Sequence, residues 1–223
     1  AINFVQAGIS SADMVTTVSP TYAREIQTPE GGFGLDGLLR VRSDVVKGIV
    51  NGVDTEIWNP EKDPALPANF SSKDMSGKAE CKKALQQYFG LPEREDVPVI
   101  AMIGRLVSQK GIAEVIAPNY GCLWGICKSV DVQVVLLGSG ERWAENEINS
   151  LQEKLPNFRA KIGYNEKLSH LIEAGADFFL MPSQYEPCGL NQLYSELYGT
   201  LPIVRRTGGL ADTVQNYNEQ TGE

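Results

Sequence analysis

From residue 97 onward, short apolar runs alternate with amphipathic stretches. The runs fall at 97–103, 132–137, 159–162, 177–181 and 202–204, and helical patterns occupy 142–155, 167–174 and 189–198 between them. Strands alternating with helices specify βαβ units and a parallel sheet. Val134-Val135-Leu136-Leu137 and Phe178-Phe179-Leu180-Met181 are apolar at every position, the pattern of strands covered by helices on both faces. The expected fold is α/β, a doubly wound Rossmann-like parallel sheet running from about residue 48 to 223.

Upstream the pattern is less regular. Residues 1–27 read as a helix, the short apolar strand 14–18, and a second helix opened by Ser19-Pro20, a Ser N-cap followed by Pro at the first helical position. Residues 28–34 carry turn chemistry. Residues 51–76 are rich in Asn, Pro, Asp and Ser, with Trp58 as the lone large anchor, and read as a long connection. A helix over 77–89 should close at Gly90. No internal repeat or low-complexity block is present, and the elements of 1–47 have no evident sheet of their own to join.

Composition narrows the function classes. The 223 residues are 42% hydrophobic and 22% charged with a net charge of −8, against the basic face that a nucleic-acid binder needs. A phosphate-bearing small ligand remains compatible, because a few placed cations and helix starts suffice for one. Cys81, Cys122, Cys127 and Cys188 form no CxxC pair and no zinc-like group with His170, so reduced thiols and no metal are expected. No apolar run has the length to cross a membrane, and no signal-like segment opens the chain. The chain starts without Met and stops at Thr221-Gly222-Glu223, which reads as a piece cut from a longer protein.

In open α/β sheets ligands bind beyond the carboxyl ends of the strands, and each expected strand ends in a distinctive sequence. The first gives Gly104-Arg105-Leu106-Val107-Ser108-Gln109-Lys110-Gly111, whose Arg105 and Lys110 suit a diphosphate clamp. Gly138-Ser139-Gly140 is either a tight turn or a ligand contact. Tyr164, after Gly163, either lies against a nucleobase or caps the core. The fourth strand leads into Ser183-Gln184-Tyr185-Glu186-Pro187-Cys188-Gly189-Leu190. There Glu186 can accept sugar hydroxyls, or merely cap a helix, and the amides of Gly189, Leu190 and Asn191 can face a phosphate. The fifth strand leads into Thr207-Gly208-Gly209, another set of hydroxyl and amide donors before a helix. Glu186 should thus sit beside Thr207-Gly208-Gly209 and across from Arg105 and Lys110.

These residues, with the stretches TVSPTYAREI at 17–26, GIVNGVD at 48–54 and Trp58-Asn59-Pro60, resemble the starch and glycogen synthases, ADP-glucose-using glucosyltransferases of the two-domain GT-B fold. The resemblance implies that residues 1–47 are the end of the N-terminal, acceptor-side domain. Residues 48–223 are then the C-terminal nucleotide-sugar-binding domain, truncated at its C-terminal end. It implies that Arg105 and Lys110 hold the ADP phosphates and that Glu186 contacts the donor glucose. Cys188 and Gly189 present backbone groups to the sugar, while Leu190, Asn191, Thr207, Gly208 and Gly209 line the diphosphate. Tyr164 lies against adenine and Asn51 near the sugar. No cofactor or metal is implied; the partners are ADP-glucose or ADP and an α-1,4-glucan acceptor. The setting is a bacterial cytoplasm or plastid stroma.

Three departures accompany it. Where many related GT-B transferases carry a second Glu eight residues after the first, this chain has Tyr194. Residues 112–128, broken by Pro118, replace an expected amphipathic helix with an apolar cluster that includes Trp124. The acceptor half is nearly absent, and His170, on a helix between strands, reads as structural. The alternatives are a sucrose- or trehalose-synthase-type GT-B enzyme, or a non-catalytic nucleotide-sugar-binding fragment.

Overall fold

The computed structural model describes residues 3–222; Ala1, Ile2 and Glu223, the outermost residues of the two expected domains, lie outside it. In chain order the elements are α1 (Phe4–Ser11), β1 (Val15–Thr17), α2 (Pro20–Glu25), α3 (Asp36–Val41), β2 (Val46–Gly48) and α4 (Ser76–Phe89). There follow β3 (Val99–Leu106), a 3-10 turn at Ser108–Lys110, α5 (Ile112–Ile116), α6 (Cys122–Ser129), β4 (Gln133–Gly140), α7 (Arg142–Lys154) and β5 (Phe158–Ile162). The last are α8 (Glu166–Gly175), β6 (Phe178–Met181), α9 (Asn191–Leu197), β7 (Leu201–Val204) and α10 (Gly208–Thr213). They form two compact units. A composite unit gathers the residues up to Gly52, Tyr185–Leu190 and Arg205 onward; a sheet unit holds Val53–Gln184 and Asn191–Val204. This grouping differs from the single sequence break after residue 47.

In the sheet unit five strands pair in the order β5-β4-β3-β6-β7, every pair parallel. Gln133 to Gly138 are buried without interruption along β4, as a two-sided cover requires. On one face Met102, Val134 and Leu136 pack with Val115, Leu123, Ile148 and Leu151 of α5, α6 and α7. Each such fully buried side chain contributes about 1.5–3 kcal/mol relative to exposure. On the other side α8 packs against β3, and α4 against α8. Helix α4 closes at Gly90 in the left-handed conformation, as its sequence predicts. Because all strands are parallel, their carboxyl ends share one edge, and the order reverses between β3 and β6, the position where such sheets open a crevice.

Several local expectations change. Strand β3 runs on to Leu106, and its register pairs Gly104 with Gly138, Arg105 with Ser139 and Leu106 with Gly140. Gly138-Ser139-Gly140 is therefore ladder, not a tight turn. Pro118 splits 112–128 into α5 and α6, and α6 turns Leu123 and Cys127 into the core, while Trp124 of the same apolar cluster stays 47% exposed. Helix α9 begins at Asn191 rather than at 189.

The composite unit has a sheet after all. β1 pairs in parallel with β2 through Val15↔Val46, Thr16↔Lys47 and Thr17↔Gly48, which corrects the expectation that the 1–47 elements lack one. Ser19 caps α2 through the amide of Tyr22, with Pro20 at the first position. Ala23, Leu39 and Val46 form its small core.

Candidate functional site

The sheet unit holds part of the expected residue set near the reversal point. Arg105, exposed at the end of β3, donates from Nη2 to Gln109 Oε1 at 2.8 Å, which orients a long and otherwise mobile cation. Lys110, half-buried, ends the 3-10 turn. The next residue, Gly111, has φ +72°, and a Cβ there would lie 2.2 Å from the carbonyl oxygen of Pro182, so no other residue fits without displacing backbone. The Gln184 amide donates to the Gln109 carbonyl at 2.8 Å, and its side chain donates to Glu114 at 3.0 Å. The turn carrying Lys110 is thus tied to the segment that leads into residues 185–190. Asn191 opens α9 and donates from Nδ2 to the Ile103 carbonyl at 3.0 Å, two residues before Arg105. Tyr164 follows β5 and is 85% exposed. It does not cap the core; its ring face is open to a planar ligand.

The composite unit holds the rest. Glu186 and Cys188 are buried, while Leu190 is partly exposed and Gly189 adopts φ +78°. The Glu186 carbonyl accepts from the Gly209 amide at 3.0 Å. Gly208 has φ +45°, and a Cβ on it would lie 1.9 Å from that same carbonyl oxygen. The close approach of the two loops therefore depends on glycine. The 185–190 loop and the start of α10 are thus adjacent, as the sequence suggests. Asn51 is exposed, three residues past β2.

Thr207 stands at the N-cap of α10 without capping it. Its hydroxyl donates instead to Glu25, at 3.1 Å to Oε1 and 3.3 Å to Oε2, and the Gly208 amide donates to Glu25 Oε1 at 2.9 Å. A carboxylate of α2 thus takes the donors that the sequence assigned to a phosphate. Asp212 secures the same pair of helices, accepting from the Thr21 amide at 2.8 Å and its hydroxyl at 2.5 Å. Nearby, burial raises the Tyr22 hydroxyl above the usual tyrosine range, and Tyr185 and Glu25 add to the shift.

Two residues with evident roles here escaped sequence reasoning. Gln109 orients Arg105, and Glu25 holds Thr207 and Gly208. Both lie inside motifs that the sequence displays, but their partners decide their role, and Glu25 is 182 residues from Thr207. Chemically, Arg105 and Lys110 supply cations, Tyr164 a flat face, and the Glu186 loop a buried carboxylate with packed backbone. Within the sheet unit, two cations and a flat face suit a nucleotide diphosphate; within the composite unit, a buried carboxylate on packed backbone suits hydroxyl groups.

The family model of glycosyl transferases group 1 matches residues 86–222, and that of the starch synthase catalytic domain matches residues 1–41. A glycogen synthase of Treponema denticola is 62% identical over 100% of this chain and 45% of its own length. Glycogen synthase 1 of Geobacter sulfurreducens is 54% identical over 98% of this chain and 43% of its own length. Among solved structures, the catalytic domain of starch synthase IV from Arabidopsis thaliana, bound to ADP and acarbose, superposes with a TM-score of 0.91 at 40% identity. It covers 99% of this chain and 45% of that one. The chain spans under half the length of these relatives.

Proposed function

We propose that this chain, which belongs to the group 1 glycosyl transferases, is the donor-binding half of a glucan synthase. In this reading the whole enzyme moves glucose from ADP-glucose to the non-reducing end of an α-1,4-glucan, with retention at the anomeric carbon. Residues 1–47 are the tail of the acceptor-side domain and 48–223 the donor domain. The observation that carries the reading is the Glu186 loop, buried and held by Gly208 and Gly209. A buried carboxylate on fixed backbone suits hydroxyl recognition, where position matters more than charge. The Arabidopsis neighbour's ADP supports a nucleoside diphosphate as the leaving group.

Each residue then has a task. Arg105, oriented by Gln109, and Lys110 neutralise the diphosphate as the glycosidic bond breaks, when its charge grows; Asn191, Leu190, Thr207, Gly208 and Gly209 line it. This preorganised stabilisation is commonly the largest single contribution to such a step. Glu186 accepts from glucose hydroxyls, and Cys188 and Gly189 offer backbone groups to the sugar. Tyr164 lies against adenine and Asn51 near the sugar. The glucosyl unit leaves with oxocarbenium-like character, and the acceptor 4-hydroxyl attacks from the face the diphosphate vacates. A bacterial cytoplasm or plastid stroma, where ADP-glucose and glucan meet, is the setting we assign.

Competition binding with ADP-glucose against UDP-glucose tests the donor, and ADP-glucose should win. In the intact enzyme Glu186→Ala should abolish glucosyl transfer while largely retaining ADP binding. Unchanged turnover in that variant removes Glu186 from the sugar site.

A further inference from the structure

Helix α9 carries Asn191 at its start, yet little apolar packing holds it. Its buried residues are Gln192 and Ser195, both polar. Aromatic and charged contacts supply the hold instead. The Trp58 indole lies 3.9 Å from the His170 ring and 3.8 Å from the Tyr194 ring, within 5° of parallel to each. Two rings at that spacing cannot share one face of an indole, so Trp58 is sandwiched between α8 and α9. Asp63, only 2% exposed, orients the column. Its Oδ2 accepts from His170 Nδ1 at 2.7 Å and from the Tyr198 hydroxyl at 2.6 Å, while Oδ1 accepts from the Ala65 amide at 2.8 Å. The flank of α9 is thereby fixed through Tyr194, and its end through Tyr198. One turn before Tyr194, Asn191 reaches the Ile103 carbonyl beside Arg105.

We infer that Trp58 is a positioning residue for the donor-binding edge of the sheet unit: the His170–Trp58–Tyr194 column, set by Asp63, fixes the roll of α9. It thereby fixes Asn191 relative to Arg105. Displacements of about 1 Å can lower rates strongly even when the altered residue is remote from the reacting atoms. The column also gives a physical role to Tyr194, whose ring is committed to the indole. It makes the chain's sole histidine a part of site geometry. The inference rests on the donor-binding reading above.

The test uses the intact enzyme, with ADP binding measured by calorimetry and steady-state kinetics in which donor and glucan are varied separately. Trp58→Ala should raise KM for ADP-glucose and the ADP dissociation constant by about tenfold, with KM for glucan within about twofold. Trp58→Phe, which keeps an aromatic plane, should recover most of the loss. If Trp58→Ala does not fold, Tyr194→Leu decides. It should raise the donor KM alone, and Tyr194→Phe should restore it. Wild-type protein that binds no ADP overturns the donor reading and this inference with it. Wild-type binding of ADP that the folded variants match overturns this inference alone. Donor and glucan KM rising together, in step with a lower Tm, also overturns it, because general loosening then explains the change.

Discussion

Each of the two units of this chain is stabilised internally by a different means. The sheet unit has a continuous apolar core in which Phe158, Ile148, Leu155 and Leu136 are nearly or wholly inaccessible to solvent. Among the described residues the composite unit buries a smaller apolar set: Ala23, Leu39 and Val46 in one cluster, with Cys188 and Leu210. It draws on three separated stretches, joined by Asp212 to Thr21, Glu25 to Gly208, and the Gly209 amide to the Glu186 carbonyl, while Arg42 bonds the Ser10 and Ala12 carbonyls within the first stretch. Apolar burial scales with area and is insensitive to the identity of the partner. Hydrogen bonds contribute about 1 kcal/mol each but fix direction. The sheet unit is therefore built as a stable platform, and the composite unit as an arrangement of backbone donors and acceptors in set orientations.

The sharpest way to break the comparison is to make one deletion in each unit. Phe158→Ala should cost about 3–5 kcal/mol, the sum of lost transfer energy and the cavity left behind, read as a fall in the urea midpoint. Asp212→Ala, which removes the hydrogen bonds from Thr21 and Ser19 at the start of α2, should cost about 1–2 kcal/mol. Equal losses would show that polar links stabilise the composite unit as strongly as apolar burial stabilises the sheet unit.

How much of this was legible in the sequence follows the same division. The parallel sheet could be read because runs such as Val134 to Leu137 carry their burial in their own composition. Gly90, Ser19 and Pro20 likewise act locally. β2 could not be read. Val46-Lys47-Gly48 is a three-residue strand, and only its partner at 15–17 makes it one. Residues 112–128 could not be read either, because which of their apolar side chains are buried depends on how α6 packs: Leu123 and Cys127 join the core and Trp124 does not. Among the candidate residues, the Glu186 loop and the Arg105–Lys110 pair stand out as motifs at strand ends. The Trp58 column, by contrast, joins side chains more than 100 residues apart in sequence, and a lone tryptophan in a polar connection announces no partners.

The sheet unit also sets a buried carboxyl, Glu173, near the amine of Lys78, which sharpens the comparison through pH. Burial pushes the Glu173 carboxyl up to about 8, opposed by its hydrogen bond from Ser195 and by the charge of Lys78. Burial lowers the Lys78 amine to about 8, opposed chiefly by Asp177. A carboxyl with a raised folded-state pKa contributes stability that is complete below its unfolded value of 4.5 and is lost as pH rises through about 8. An amine with a lowered pKa contributes stability that is complete above 10.5 and is lost as pH falls through about 8. The two together place a minimum near pH 8. Glu173→Gln should remove the fall on the acid side and leave the rise above pH 8, measured as the urea midpoint against pH. A variant that keeps the full acid-side fall would assign that slope to other groups.

The smallest effect bears on what the composite unit is for. Glu25 accepts from Thr207 and Gly208, the donors that the proposed reading gives to the diphosphate. Two anions cannot share one amide and one hydroxyl without repulsion, so the carboxylate must yield or share when the donor arrives. Glu25→Gln keeps a carbonyl oxygen to accept from both groups while removing the negative charge. ADP affinity should then rise by about threefold to tenfold, which corresponds to roughly 0.7–1.4 kcal/mol. The gain should shrink at high salt, because screening already weakens the wild-type repulsion. If Glu25 serves only to hold α2 against α10, the substitution lowers Tm slightly and leaves the ADP dissociation constant where it was. The sign of the affinity change therefore separates a carboxylate that stands in for phosphate from one that only holds two helices together.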